Sequence, residues 1–330
     1  MKFSIVVPIY NRPDEACELL QSLSEQTFKD FELVLVEDGS TKPCISEVEK
    51  FRTLLSINYL AKENTGRSDS RNVGMANAKG DYFLFFDSDC IIPPHYLEIV
   101  NDFLTNNYAD CFGGPDREQA TFSLMQKAIN YAMTSFWTTG GIRGGKKKTG
   151  RFEPRTFNMG FSRAVYEKVG GFKNMYGEDI ELSNRIRRAG FSIALFTKAF
   201  VYHKRRVNLK KFFKQVYIFG QARINIFKIF PDSLRIVHSL PAIAVMGGFL
   251  LLLLAVVVSP RFLGLPAVYL ALLFFDALAK TKNLSVACLS LIASVIQITG
   301  YGTGFIYAFV TKIIFRQGFE DAEKIKKTYK

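Results

Sequence analysis

The 330-residue chain predicts a doubly wound, mostly parallel α/β sheet followed by an interfacial amphipathic helix and transmembrane helices. Three observations carry that expectation. Short β-branched and aromatic runs alternate with helical periodicity over residues 3–90, the pattern of a parallel sheet with right-handed crossovers. Two of those runs end in carboxylate pairs, Glu37-Asp38 and Asp87-Ser88-Asp89. Beyond Arg235 the sequence turns almost continuously apolar.

Residues 3–10, with Ser4 as their one early polar side chain, read as a strand buried on both faces, with Pro8 near its end. Asn11-Arg12-Pro13-Asp14 makes the turn, and Asp14 begins a helix with apolar positions at Ala16, Leu19, Leu20 and Leu23. Residues 31–36 form the next strand, which runs into Glu37-Asp38-Gly39-Ser40. A helix over 47–55, a strand over 57–60, the turn Asn64-Thr65-Gly66-Arg67 and a helix over 68–77 follow. The aromatic run 82–86 is too short for a helix and reads as a buried strand.

Just past that strand, Asp87 and Asp89 are spaced i, i+2. Side chains two apart on a strand share a face, so both carboxylates can converge on one object at the strand's carboxyl end. Ligands of open α/β sheets bind there. Two hard oxygen donors suit Mg²⁺ or Mn²⁺, which bridge to phosphates. Taken alone the pair is equally a solvated turn. No G-x-G-x-x-G follows the first strand, so a nucleotide here is expected to be held by carboxylates and metal instead of a glycine turn.

Hydrophobic residues make up 48% of the chain and the net charge is +13, a combination usual for a membrane protein with a basic inner face. The five cysteines (Cys17, Cys44, Cys90, Cys111, Cys288) show no C-x-x-C and no neighbouring histidine in sequence, which points to a reducing compartment and no zinc site. The apolar run at the N-terminus is too short for a signal peptide, and Asn11-Arg12-Pro13 cuts it off. The α/β part is expected in the cytosol, and no nucleic-acid partner is expected.

Five pieces occur in a fixed order: Val6-Val7-Pro8-Ile9-Tyr10-Asn11, Glu37-Asp38-Gly39-Ser40-Thr41, Gly66 with Arg71-Asn72, Gly80-Asp81-Tyr82, and Asp87-Ser88-Asp89. Together they resemble the family 2 glycosyltransferases, over roughly residues 1–205. The resemblance implies the GT-A fold, a nucleotide-sugar donor and, for most members, inversion at the anomeric carbon. It implies that Asp38 accepts a hydrogen bond from the base, and that Asp87 sits by the ribose and diphosphate. Asp89 would ligate Mn²⁺ or Mg²⁺, and Arg71 would lie near the nucleotide. Pro8, Tyr10, Gly66 and Ser88 complete the implied donor-binding set. Outside the resemblance, Arg71 reads equally as a helix-surface arginine and Asp38 as a turn former.

Further on, Asn158-Met159-Gly160 resembles the family's acceptor-side loop that supports the sugar pocket, and Gly177-Glu178-Asp179 resembles the motif carrying the catalytic base. The resemblance makes Asp179 that base and puts Glu178 beside the sugar pocket. Asp179 would start a helix whose dipole favours its anionic form. Residues 191–200 read as a strand, and His203 just beyond it matches a histidine that completes the metal site in several relatives. Between these pieces, 123–136 is amphipathic and 139–148 is a glycine-rich basic run expected to be a surface loop.

Residues 206–235 are a basic, aromatic linker expected to lie among anionic headgroups, with Lys210, Lys211, Lys214, Arg223, Lys228 and Arg235 set against Asp232 alone. Residues 236–259 and 262–279 are each long enough to span a hydrocarbon core of roughly 30 Å. Residues 284–315 exceed one span, and either cross once or break near Gly300-Tyr301-Gly302-Thr303-Gly304 and return. Lys280 and Lys282 belong on the cytoplasmic side, which leaves the side of the basic tail 324–330 open. The expected organisation is a catalytic domain (1–205), the linker (206–235) and a membrane region (236–330). The expected activity is metal-dependent glycosyl transfer at the cytoplasmic face of the cell membrane, from a UDP-sugar to a lipid-linked or polysaccharide-precursor acceptor. A processive polysaccharide synthase is the alternative, disfavoured because Gln221-Ala222-Arg223 does not match the Gln-x-x-Arg-Trp signature and the single tryptophan is Trp137. A non-catalytic membrane scaffold that keeps the fold is a second.

Overall fold

A computed structural model of the chain describes residues 2–117, 122–140, 152–204 and 208–318. The glycine-rich basic run beyond Gly140, Arg205, Arg206 and the basic tail lie outside the described residues. Two compact units emerge, one of 2–117 with 152–203, the other of 122–140 with 204 and 208–318.

The first unit opens with β1 (Phe3–Ile9), α1 (Pro13–Ser24), β2 (Phe31–Asp38), α2 (Ile45–Phe51), β3 (Ile57–Lys62), α3 (Arg67–Ala76) and β4 (Tyr82–Phe85). Next come β5 (Cys90–Ile91), α4 (Tyr96–Asn106), β6 (Cys111–Gly113) and β7 (Asp116–Arg117). The chain then contributes α5 (Leu124–Thr134) and α6 (Phe136–Thr139) to the second unit. It resumes the first with β8 (Met159–Ser162), α7 (Arg163–Val169), α8 (Glu178–Arg188), β9 (Ile193–Leu195) and β10 (Val201–His203).

Seven strands form one mixed sheet in the order β3-β2-β1-β4-β8-β6-β9. The first four run parallel, as the strand–helix alternation requires. β8 is antiparallel to both β4 and β6. Alternate residues of β1 feed opposite cores: Phe3, Ile5 and Val7 pack with Leu19, Leu20 and Leu23 of α1, while Val6 packs with Val34, Val36, Met75, Phe83 and Phe85. A strand with no polar face can persist only inside a layer covered on both sides.

The strand expected over 191–200 is confined to β9, and a separate strand, β10, follows just beyond that range. Thr197-Lys198 turns the chain, with the Ala199 N–H donating to Phe196 O at 3.2 Å. That turn lets β10 leave the large sheet and pair with β5 and β7 in a small second sheet.

The second unit continues with α9 (Leu209–Ile229), α10 (Ile236–Val257), α11 (Gly264–Thr281) and α12 (Leu284–Phe309), which ends in a π turn over Val310–Ile314. Three segments, Ile236–Val257, Pro260–Thr281 and Leu284–Ile314, are long and apolar enough to cross a membrane. The glycines of α12 do not break it. They permit close packing, because a Cβ on Gly304 would lie 2.1 Å from Tyr217 O, and one on Gly220 2.2 Å from Tyr301 O.

The amphipathic linker also differs from expectation. Phe212 and Val216 of α9, expected to face lipid, are buried with Ile129, Ala132 and Met133 of α5 and Ala293 of α12. Arg223 is buried, while Lys210, Lys211, Lys214 and Lys228 are exposed. The same apolar match draws residues 122–140 away from the 1–205 stretch in which their sequence position sets them.

Candidate active site

Because β1, β2 and β4 are parallel neighbours, the residues following them emerge along one edge of the sheet. Asp38, the last residue of β2, is buried and organises the turn before α3. Its Oδ1 accepts from Lys62 Nζ at 2.6 Å and from the Thr65 N–H at 2.9 Å, and its Oδ2 accepts from the Gly66 N–H at 2.9 Å. Gly66 stands at φ +97°, ψ 160°, a region essentially restricted to glycine. Glu37 beside it is structural, accepting from the Cys44 N–H at 2.8 Å and from Tyr59 OH at 3.1 Å. Pro8 and Tyr10 are half-buried at the end of β1.

Beyond β4, Ser88 is buried and Asp87 and Asp89 are partly exposed. Asp87 Oδ1 accepts from Arg71 Nη2 at 2.6 Å. Arg71 is no surface arginine: its side chain is fully buried, with Nη1 3.6 Å from Glu178 Oε1 and the guanidinium 5.6 Å from the Phe172 ring centre. Arg67, one turn earlier on α3, reaches the same Glu178 carboxylate at 2.8 Å.

Asp89 faces the side chains of Arg12 and His203. Arg12 Nη1 lies 3.3 Å from Oδ2, and His203 Nε2 lies 3.1 Å from Oδ1. Burial alone would lower the Arg12 guanidinium, but the charges of Asp89 and Glu15 outweigh it and hold Arg12 above its ordinary value. The antiparallel pairing of β5 with β10 sets Cys90 opposite His203 and so carries the imidazole to Asp89. The His203 ring stacks on Phe157, with centres 4.6 Å apart. Ligand atoms of Asp89, Cys90 and His203 lie within 4.8 Å of one another.

The donor set of that cluster can be matched to candidate ions by its chemistry. A carboxylate with an imidazole fits Mn²⁺, and the carboxylate alone fits Mg²⁺. The cysteines have no histidine beside them in sequence, yet folding gives one to Cys90. Burial pushes the Cys90 thiol well above its ordinary value, and Sγ lies 3.6 Å from Phe157 O, its acceptor. A buried neutral thiol is a poor ligand for a hard cation.

Asp179 stands in the first turn of α8, after Gly177 at φ +82°. Its Oδ2 accepts from Arg155 Nη1 at 3.4 Å and its Oδ1 from the Ile180 N–H at 2.8 Å. Burial would lower Arg155, but Asp179 and then Glu153 raise it, so the cation persists beside Asp179. Asn158, Met159 and Gly160 are buried supports. The Asn158 side chain accepts from Tyr96 OH and donates to Ala199 O at 2.9 Å and Pro115 O at 3.2 Å, while Met159 and Gly160 pair with β4 and β6.

Arg12, Lys62, Arg67 and Arg155 were not singled out from sequence. The i, i+4 spacing of Arg67 and Arg71 was a usable signal, since it puts both on one face of α3. Arg155 carried none, because it meets Asp179 only through tertiary folding.

A mixed α/β sheet with acidic side chains gathered beyond its strand ends is the framework of a GT-A glycosyltransferase. The chain belongs to glycosyl transferase family 2, whose model matches residues 4–170. It is 38% identical over 114 residues to the poly(ribitol-phosphate) β-N-acetylglucosaminyltransferase TarS of Staphylococcus aureus, covering 33% of this chain and 20% of TarS. It is 29% identical over 179 residues to the minor teichoic acid biosynthesis protein GgaA of Bacillus subtilis, covering 51% of this chain and 36% of GgaA. The chain thus spans well under two thirds of the curated relatives it matches. In structure it resembles a mannosyltransferase of Pyrobaculum calidifontis solved with GDP-Man and Mn²⁺, with TM-score 0.65, 18% identity, and coverage of 90% of this chain and 86% of that one.

Proposed function

We propose that this family 2 glycosyltransferase is membrane-anchored, metal-dependent and inverting. It moves a sugar from a UDP-sugar to a lipid-linked or polysaccharide-precursor acceptor at the cytoplasmic face of the cell membrane. The observation that carries the reading is the meeting of Asp89 and His203, 3.1 Å apart, next to the Arg71–Asp87 pair. The poly(ribitol-phosphate) β-N-acetylglucosaminyltransferase activity of TarS supports a sugar donor and a cell-envelope acceptor of this kind. Three long apolar helices support the anchor.

In this reading Asp89 and His203 would hold Mn²⁺ or Mg²⁺, which would supply positive charge to offset that of the departing diphosphate. Asp38, with Gly66 and the adjoining loop fixed upon it, receives the base. Asp87, oriented by Arg71, receives the ribose and diphosphate, and Pro8, Tyr10 and Ser88 line the donor. Asp179 takes the proton from the acceptor hydroxyl as that oxygen bonds to the anomeric carbon and the bond to the diphosphate oxygen breaks. Glu178, Asn158, Met159 and Gly160 keep the sugar pocket in place from behind. Holding the chain in the bilayer keeps the enzyme where a lipid-linked acceptor lies.

The test is a panel of UDP- and GDP-sugars, each with and without Mn²⁺, read by thermal stabilisation and by release of nucleoside diphosphate. One UDP-sugar should stabilise the protein only with the metal and be turned over slowly to UDP. No metal-dependent stabilisation by any donor would instead favour the non-catalytic scaffold.

A further inference from the structure

α6 exposes a pair of aromatic rings beside residues of two candidate spans. Phe136 is 59% and Trp137 43% exposed, with their rings edge-on at 5.7 Å. The residues around α6 belong to candidate spans. A Cβ on Gly140 would lie 2.4 Å from Val237 Cγ2 in the first turn of α10, and the Trp137 carbonyl accepts from Tyr269 OH of α11 at 2.6 Å. The flanking spans carry the same kind of uncovered surface, with Phe249 at 71%, Leu265 at 68% and Phe275 at 64% exposure.

A second, independent feature lies in the backbone. The chain breaks at Ser135 between α5 and α6, and such a break normally leaves carbonyls for water. Here hydroxyls cap them: Thr138 Oγ1 donates to Ala132 O at 2.6 Å and to Ser135 O at 3.0 Å, and Thr139 Oγ1 donates to Ser135 O at 2.8 Å. Tyr131 OH donates to Leu273 O at 3.2 Å and to Asp276 Oδ2 at 2.5 Å, which ties the end of α5 to α11. Polar backbone satisfied from within, beneath bare aromatic rings, is what a water-poor environment demands. Tryptophan in particular favours the boundary between acyl chains and headgroups.

From this we infer that α6 is an interfacial membrane contact, with Phe136 and Trp137 inserted at the headgroup–acyl boundary. The inference rests on the membrane-anchored reading above and adds a lipid contact supplied by chain that leaves the catalytic sheet after β7 and returns to it at β8. The partner is the bilayer, because the exposed rings continue the uncovered faces of helices already long enough to span it.

Trp137 is the single tryptophan in the sequence, so its fluorescence reports this site alone. The full-length protein is reconstituted into phosphatidylcholine vesicles whose acyl chains are brominated either near the headgroup or near the terminal methyl. Emission should be blue-shifted and lost most strongly to the bromines near the headgroup. The reference is the same reconstituted protein titrated with iodide in water, which should quench far less than the bromines near the headgroup. Protein that floats with the vesicles while Trp137 stays unquenched overturns the lipid contact and leaves the anchor standing. Blue-shifted but unquenched emission would mean that another protein surface, such as a second copy, covers the rings. Quenching by iodide that equals or exceeds quenching by the bromines also overturns the assignment. Protein that does not float overturns the anchored reading together with this one.

Discussion

Arg71 Nη2 lies 2.6 Å from Asp87 Oδ1, and the arginine that makes this contact is wholly buried. Its other terminal nitrogen faces Glu178, so one cation from α3 joins the end of β4 to the start of α8. Asp87 and the helix carrying Asp179 are thereby held by one side chain.

Replacing that cation should therefore cost stability before it costs chemistry. Removing one partner from a buried ion pair costs about 3–5 kcal/mol. Arg71→Met should fall near the lower end, since Asp87 keeps 32% exposure. Arg71→Lys should recover part of the loss, because a single ammonium cannot reach both carboxylates. Denaturant unfolding of the detergent-solubilised protein reads both, and an unchanged midpoint in Arg71→Met would remove the linking role.

The metal assignment is tested by Asp89→Asn, which keeps volume and removes a charged ligand. Donor-nucleotide binding should lose its Mn²⁺ dependence or vanish in calorimetry. His203→Gln should weaken Mn²⁺ more than Mg²⁺, because imidazole suits the softer of the two ions. Unchanged Mn²⁺-dependent binding in Asp89→Asn would sink the assignment.

Asp179 separates chemistry from binding. As general base it matters while the proton moves, so Asp179→Asn should lower turnover by roughly 10²–10⁴-fold with donor affinity almost unchanged. Glu178→Gln should behave differently. Glu178 is 2% exposed and paired with Arg67 and Arg71, so its loss should appear first in the unfolding curve. Single-turnover rates and donor titrations of both variants decide the matter. A donor affinity that collapses with Asp179→Asn would make Asp179 a structural cap.

A fourth expectation concerns acid stability. Burial would raise the Glu32 carboxyl, but hydrogen bonds from Ser4 Oγ and the N–H groups of Lys79 and Gly80 outweigh it and hold the pKa below the ordinary glutamate value. A group depressed in the folded state contributes stability that is fully present above its unfolded pKa, about 4.3, and is lost as pH falls through the folded value. Glu32→Gln should be less stable near neutrality and flatter below about pH 4.3. Parallel curves for the two proteins, measured as unfolding free energy against pH, would contradict this.

The sequence by itself determined the α/β framework, because runs buried on both faces have no stable place outside a covered sheet. It also located Asp38, Asp87 and Asp89 at strand ends, since periodicity marks where elements stop, whereas Asp179 came through the family resemblance. The Gly80-Asp81 pair was legible as a motif, and its physical reason came with the fold: a Cβ on Gly80 would lie 2.6 Å from Ser4 Oγ. Pairings between distant segments were left to the tertiary structure. Arg155 meets Asp179, and Cys90 of β5 gains a histidine neighbour from β10 that no local spacing foretold, while the meeting of His203 with Asp89 was expected only through the family resemblance. The same holds for α9, whose apolar stripe suits lipid and a partner helix equally. Periodicity fixes which face of a helix must be covered, and only packing decides what covers it; here the glycines of α12 let α9 approach closely enough to take that place.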